Sequence, residues 1–189
     1  MEGKTDRRVR KTKKQLRQGL AKLMSQKPIN EITVKELVEE VDINRSTFYL
    51  HYTDIYDMLN QIENELMEEI LDIITIGEEQ LKSFSFLVKL FTMLDNNREI
   101  CKALVGPHGD MSFITKIENY IANSIDQYAT DIYTDAIQND LKYIHSYCIT
   151  GCVGMFKTWI IEDHRETPEH MAELTYHMLT NTLKSYLAH

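Results

Sequence analysis

The chain is short of the residues that interrupt helices. Of 189 positions, 3 are proline and 7 glycine, and no proline lies between Pro28 and Pro107. A fold of many short strands needs turn residues at close intervals. So sparse a supply, with 43% apolar residues, points instead to an all-α protein of long helices, large enough to bury a real core. Cysteine is scarce too: Cys101, Cys148 and Cys152 make an odd count with no CxxC pair. That disfavours a disulfide framework and a cysteine zinc site, and a reducing compartment fits best. No run of about 18 apolar residues occurs, and the charged opening "MEGKTDRRVRKTKKQ" has no apolar segment behind it. Neither export nor membrane spanning is indicated, and the cytoplasm is the expected location. A glycine-rich phosphate loop, GxSxG and HExxH are all missing, and no carboxylate pair stands out. No enzyme activity, cofactor or metal is expected.

What is present is a sharp division of charge. Residues 1–27 hold ten basic side chains against Glu2 and Asp6, although the whole chain carries a net charge of −8. A basic leading end on an acidic body is the footprint of nucleic-acid binding by one end only. Val9, Leu16, Leu20, Leu23 and Met24 recur at helical spacing among Arg8, Arg10, Lys11, Lys14 and Arg17, so a first helix is expected over Asp6 to Ser25. Pro28 ends it, because proline disfavours helical geometry at the residue before it.

The next stretch, "ITVKELVEEVDINRSTFYLHY", carries two helix starts eleven residues apart. Thr33 followed by Glu36 is a capping box, with Ile32 and Leu37 at the staple positions. Asn44 caps a second start, with Ile43 and Phe48 in the same roles. Helices over roughly 33–40 and 45–51 follow, separated by "VDIN". This is a helix-turn-helix, whose second helix is placed to enter a DNA major groove. Leu37, Val38, Val41, Ile43 and Phe48 form the expected inward side. Asn44, Arg45, Ser46, Thr47, Tyr49 and His51 form the outward one. Arginine can fork onto guanine, asparagine onto adenine, threonine can offer its methyl to thymine, and tyrosine and serine hydroxyls reach phosphates. Beyond Thr53 and Asp54, either of which can cap, apolar residues from Ile55 to Ile74 mark one long helix. Further helices are separated by breaks near Gly77, at Asn96 to Asn97, and at 106–110, 130–135 and 162–168. In the last break Thr167 caps and Pro168 takes the first helical position.

The basic first helix, the run "STFYLHY" and the long helix after it resemble the TetR/AcrR family of transcriptional regulators. The segment "YCITGCVGMFKTWIIEDHRETPEHMAELTYHML" is similar to the C-terminal region of a subgroup common among Firmicutes-type members, which includes activators and regulators of unknown effector. The resemblance implies a DNA-binding domain over 1–53 and a helical effector-binding and dimerisation domain over 54–189, with about nine helices in all. It also implies a homodimer on a palindromic operator of double-stranded DNA, acting as a repressor that a small-molecule effector releases. A partner-controlled co-activator without a ligand pocket is the alternative. The positions the resemblance implies to touch or frame DNA are Thr33, Asn44, Arg45, Thr47, Tyr49, His51 and Tyr52; the charge and hydroxyl pattern adds Arg8, Arg10, Lys14, Ser46 and Thr53 as candidate DNA contacts. One departure stands out: where the family usually has a phosphate-binding lysine early in the fourth helix, this chain has Ile55. Phosphate anchoring then leans on the basic N-terminus and the hydroxyls of Thr53 and Tyr56, or is weaker than usual in the family.

In the C-terminal half, Leu141, Ile144, Cys148, Cys152, Met155 and Trp159 recur at helical spacing, with Gly151 and Gly154 among them. Spacing alone suits a dimer seam and an intramolecular core equally; the resemblance favours a seam through Gly151, Met155, Trp159, Leu174 and Met178. Candidate effector-pocket residues are Phe84, Leu87, Phe91, Phe113, Ile117, Tyr120, Tyr147 and Met155, each of which also suits a plain core. His170, Glu173 and His177 share a helical face and read as polar surface rather than metal ligands.

Overall fold

The computed structural model describes residues 4–76, 84–109, 111–129, 135–163 and 166–187. Among the described residues there are nine α-helices and no strand. They are α1 (Lys4–Met24), α2 (Val34–Glu40), α3 (Arg45–Tyr49), α4 (Ile55–Ile76), α5 (Phe84–Asn96), α6 (Arg98–Val105), α7 (Met111–Ala129), α8 (Asp135–Ile161) and α9 (Pro168–Leu187). Among the described residues there is one 3-10 turn, Ile29–Glu31, which follows Pro28. The break expected near Gly77 lies outside the described residues, as does that at 130–135 except for its last residue. No helix among the described residues is long and apolar enough to cross a membrane.

Side chains written into the sequence set the helix starts. Thr33 Oγ1 accepts from the Glu36 N–H at 3.2 Å, and the Glu36 carboxylate accepts from the Thr33 N–H at 3.0 Å. Both partners thereby satisfy amides that a helix end leaves orphaned. Lys27 Nζ donates to the same carboxylate at 2.6 Å, and this bond, with those from Thr33, holds the Glu36 carboxyl down at about 2. At α4 the capping residue is Asp54, which accepts from the Asp57 N–H at 2.8 Å, while Asp57 accepts from the Thr53 N–H at 2.8 Å. Thr167 accepts from the His170 N–H at 3.2 Å and Pro168 opens α9.

The turn between α2 and α3 is a tight C-cap. The Ile43 N–H reaches back to the Val38 carbonyl at 3.0 Å, and the Asp42 N–H to the Glu39 carbonyl at 3.4 Å. This pattern requires a left-handed residue between them. Asp42 supplies it, with φ of 51°, where glycine is the usual occupant.

The chain forms two compact units, one of Met1–Glu69 with Asn97–Asp110 and one of Ile70–Asn96 with Met111–His189. In the first, Leu16, Leu20 and Met24 of α1, Leu37, Phe48, and Met58, Ile62 and Leu66 of α4 are all buried to 2% exposure or less. Truncating a fully enclosed phenylalanine such as Phe48 to alanine costs about 3–5 kcal/mol. Helix α2 lies so near α1 that a side chain at Gly19 would force a shift: a Cβ there would sit 2.4 Å from Val41 Cγ1 and 3.0 Å from Leu37 Cδ1. Helix α6 belongs to this unit as well, packing along α1 with Ile100, Cys101, Ala103 and Leu104 buried. Burial raises the Cys101 thiol to about 12, so it stays protonated. Arg17 ties α6 in place, donating to Asn97 Oδ1 at 2.9 Å while lying 3.4 Å from Glu65, and Asn97 donates to Glu69 at 3.1 Å. Past α6 the chain doubles back so closely that a Cβ on Gly109 would meet the Leu104 carbonyl oxygen at 1.9 Å.

In the second unit α9 packs mainly along α5, and α7 along α8. Phe91 meets Trp159 edge-on, with ring centroids 5.3 Å apart, and the indole N–H donates to the Glu166 carbonyl at 2.7 Å. That bond ties Glu166, just before α9, to the end of α8. Phe84 meets Tyr176 in the same edge-on manner at 6.2 Å.

Candidate nucleic-acid interface

The recognition surface is built outward from Phe48, whose ring is fully buried. Tyr49 stands edge-on to it at 5.4 Å, and Arg45 one turn earlier donates to the Tyr49 hydroxyl at 3.1 Å, its guanidinium 5.5 Å from the ring centroid. An exposed arginine is thereby braced through an aromatic ring to the core. Holding the guanidinium in advance lowers the entropy lost when it forks onto a base.

Asn44 and Ser46 are exposed but partly committed. The Ser46 N–H and the Ser46 hydroxyl both donate to Asn44 Oδ1, each at 2.9 Å. What Asn44 retains is its amide NH2, a donor pair suited to acceptor oxygens. The Thr33 hydroxyl is spent likewise, donating to Glu36 at 2.9 Å as well as accepting its N–H. Arg45, Asn44, Ser46 and Tyr49 are exposed, and Thr47 and His51 half-buried. Tyr52 is not on the surface: it is 5% exposed, packs on Phe48 at 5.6 Å between centroids, and lies under Lys13 at 5.7 Å. Burial, reinforced by the charge of Glu65, pushes its hydroxyl up to about 12. It packs beneath α3 from within.

Of the basic residues on α1, Lys13 and Arg17 turn to Glu65, at 3.7 and 3.4 Å. Arg7, Arg8, Arg10, Lys11 and Lys14 are exposed. Such cations hold phosphates in proportion to the counterions they release. Ile55, at the position of the missing lysine, is buried, whereas Thr53 and Tyr56 are exposed. Leu50 was missed in sequence reading: it lies outside every helical apolar series and is 79% exposed.

The C-terminal candidates separate. Leu87, Phe91 and Phe113 are buried, Ile117 and Met155 half-buried, and Phe84, Tyr120 and Tyr147 exposed. Tyr147, at 69% exposure, lies on the outside of α8 rather than among pocket-lining residues. Trp159, expected at a dimer seam, is 2% exposed and interior, because its ring is taken by Phe91 and its N–H by Glu166. Gly151, Leu174 and Met178 are exposed. Tyr143, Tyr147, Gly151, Gly154, Thr158 and Ile161 are all exposed and follow one another at intervals of three and four along α8. They make a single stripe. Glu173 and His177 form an exposed pair 3.8 Å apart.

A braced, polar recognition helix in a compact helical unit with an exposed basic helix, followed by a second helical unit, defines a helix-turn-helix transcription regulator. Two family descriptions match the chain: "Bacterial regulatory proteins, tetR family" over residues 16–62, and "Transcriptional regulator C-terminal region" over residues 82–181. The chain belongs to the TetR family of transcriptional regulators. Among solved structures it is similar to a TetR transcriptional regulator from Streptococcus agalactiae 2603V, at 19% identity and a TM-score of 0.59, covering 93% of this chain and 97% of that one. It is also similar to the dihydroxyacetone kinase operon activator DhaS, at 17% identity and a TM-score of 0.57, covering 92% and 96%. None of the curated proteins matches the sequence significantly.

Proposed function

We propose that this regulator binds a palindromic operator as a homodimer and represses transcription until a small-molecule effector releases it. The observation that carries the DNA-reading part is the bracing of Arg45 by Tyr49 on an exposed polar helix. Such an i,i+4 pair steadies any exposed helix slightly; on a helix that also presents Asn44 and Ser46 outward it holds the guanidinium ready to fork onto a base edge. Dimerisation is supported by the α8 stripe, where a Cβ added at Gly151 or Gly154 would meet no atom within 4 Å. Small residues in an exposed apolar row allow a second helix to approach closely. Two-fold readers then address half-sites about one turn, ~34 Å, apart. For the effector the support is the resemblance, with the buried Phe91 and Trp159 pair as the apolar surface a ligand would have to part.

Selection of random duplexes on the purified protein tests the reading. The expected result is a palindromic consensus whose affinity falls steeply with salt. Failure to recover any consensus at low salt refutes it, and the partner-controlled co-activator then takes its place. Because a protein of this fold is an operon activator, the sign of regulation is read with a reporter carrying the selected operator upstream of a weak promoter and, separately, across a strong one. Effector screening by thermal stabilisation completes the test, since a ligand that binds only the native state raises its apparent stability.

A further inference from the structure

Leu50 is the most exposed large apolar side chain among the described residues, at 79%. It closes α3 in helical geometry, with φ of −72° and ψ of −17°. At 100° per residue it therefore lies about 160° around the helix from Phe48. Phe48 points into the core, fully buried. Ser46 is one turn from Leu50 and equally far from Phe48, so this pair forms the centre of the outward face. Arg45 and Tyr49 flank the centre on one side and Thr47 and His51 on the other. An isolated surface leucine usually needs no explanation. This one occupies the middle of a polar face otherwise suited to hydrogen bonding.

A base pair's major-groove edge offers hydrogen-bond donors and acceptors, and one apolar group, the C5-methyl of thymine. We infer that Leu50 is a specificity-determining residue that packs against a thymine methyl in each half-site. The inference rests on the reading of α3 as the recognition helix. Serine at 46 spends its hydroxyl on Asn44, which leaves Leu50 as the group at the centre of the face with contact area to give. Arg45, Tyr49 and the exposed cations of α1 would supply most of the affinity; Leu50 would supply discrimination between thymine and bases lacking the methyl.

The test replaces each thymine of the selected operator in turn by deoxyuridine, which keeps base pairing and every hydrogen-bonding group and removes only the methyl. Affinity is measured for the full-length wild-type chain and for Leu50→Ala, which removes an exposed side chain and leaves the core intact. At one symmetric thymine position, wild type should bind the uracil duplex about fourfold more weakly per half-site, the value of one buried methyl. Leu50→Ala should bind thymine and uracil duplexes equally there. If wild type binds its operator tightly yet is indifferent to uracil everywhere, the Leu50 assignment is wrong while α3 remains the reading helix. Equal uracil sensitivity in both proteins also overturns it, moving the methyl contact to another residue such as Thr47. A Leu50→Ala protein with unchanged DNA binding but an altered oligomeric state overturns it in favour of a protein contact. Absence of any sequence-selective binding defeats the inference and the proposed function together.

Discussion

Replacing Gly19 by alanine sets two known effects against each other. In the interior of an exposed helix this change stabilises by about 1 kcal/mol, because alanine loses less backbone entropy. Here the new methyl would sit 2.4 Å from Val41 Cγ1 and 3.0 Å from Leu37 Cδ1. Valine is stiff at χ1, and Leu37 is fully buried, so relief has to come from moving α2 away from α1. Overpacking of this kind costs about 1–3 kcal/mol. The steric effect wins, and Gly19→Ala should destabilise by about 1 kcal/mol net. Deleting the closer contact reverses the sign, leaving only the 3.0 Å approach of Leu37 Cδ1: in a Val41→Ala background the same change should stabilise by about 0.5–1 kcal/mol. The resulting coupling of about 2 kcal/mol lies well within what double-mutant cycles resolve. Urea unfolding followed by far-ultraviolet circular dichroism gives the four stabilities. Hydrogen exchange over α1 and α2 localises the loss to the first unit. Gly19→Ala stabilising the otherwise native protein, or a coupling near zero, would refute the close packing of α1 on α2.

Other perturbations test other parts. Arg45→Ala should cost about 1–3 kcal/mol of discrimination at one base position, whereas Lys14→Ala should weaken binding to all sequences alike and reduce the salt slope by about one; competition binding at several salt concentrations separates the two. Asp42→Gly should stabilise by about 0.5–1 kcal/mol, because glycine holds the left-handed C-cap without steric cost, and a chemical-denaturation midpoint that falls would count against that cap. Gly151→Arg should leave the protomer folded, since its Cβ meets open space, but convert a dimer to monomers in sedimentation; an unchanged dimer excludes the α8 stripe from the interface. Glu36 is held at about 2 against an ordinary 4.5. Its stabilising contribution is therefore complete above 4.5 and disappears as pH falls toward 2. Glu36→Gln should remove that part of the acid sensitivity, as followed by helix content against pH.

Several helix starts, two in the first unit and one in the second, were legible because their signals are local. The Thr33 and Glu36 pair, Asn44 before Phe48, and Thr167 before Pro168 each fix a helix start within four residues, and α2, α3 and α9 begin where those signals place them. Of the two capping candidates before α4, the bonds select Asp54. The stretch from 106 to 109 was readable as a break but not as a close backbone return, since Gly109 meets Leu104 through space. Contacts across long separations left no mark in the sequence. Nothing near Arg17 announces Asn97, and the helical period of α8 shows which residues share a face without saying which face a neighbour covers. That is why Trp159 and Tyr147 changed places, one into the interior and the other onto the outer stripe.

The bond from Arg17 to Asn97, and the apolar side of α6 that follows it, bear on how the protein is made. A ribosome delivers residues in order, at about 5–20 per second. Helix α1 emerges with its partner α6 still unsynthesised, and the flank of α1 that Ile100, Cys101 and Leu104 will cover stays wet until residue 105 has left the exit tunnel. For about a few seconds of each synthesis the nascent reader is unfinished. A gene fragment cut after α4 would hold it in that condition permanently, so an excised DNA-binding piece must carry residues 97–110 grafted back on.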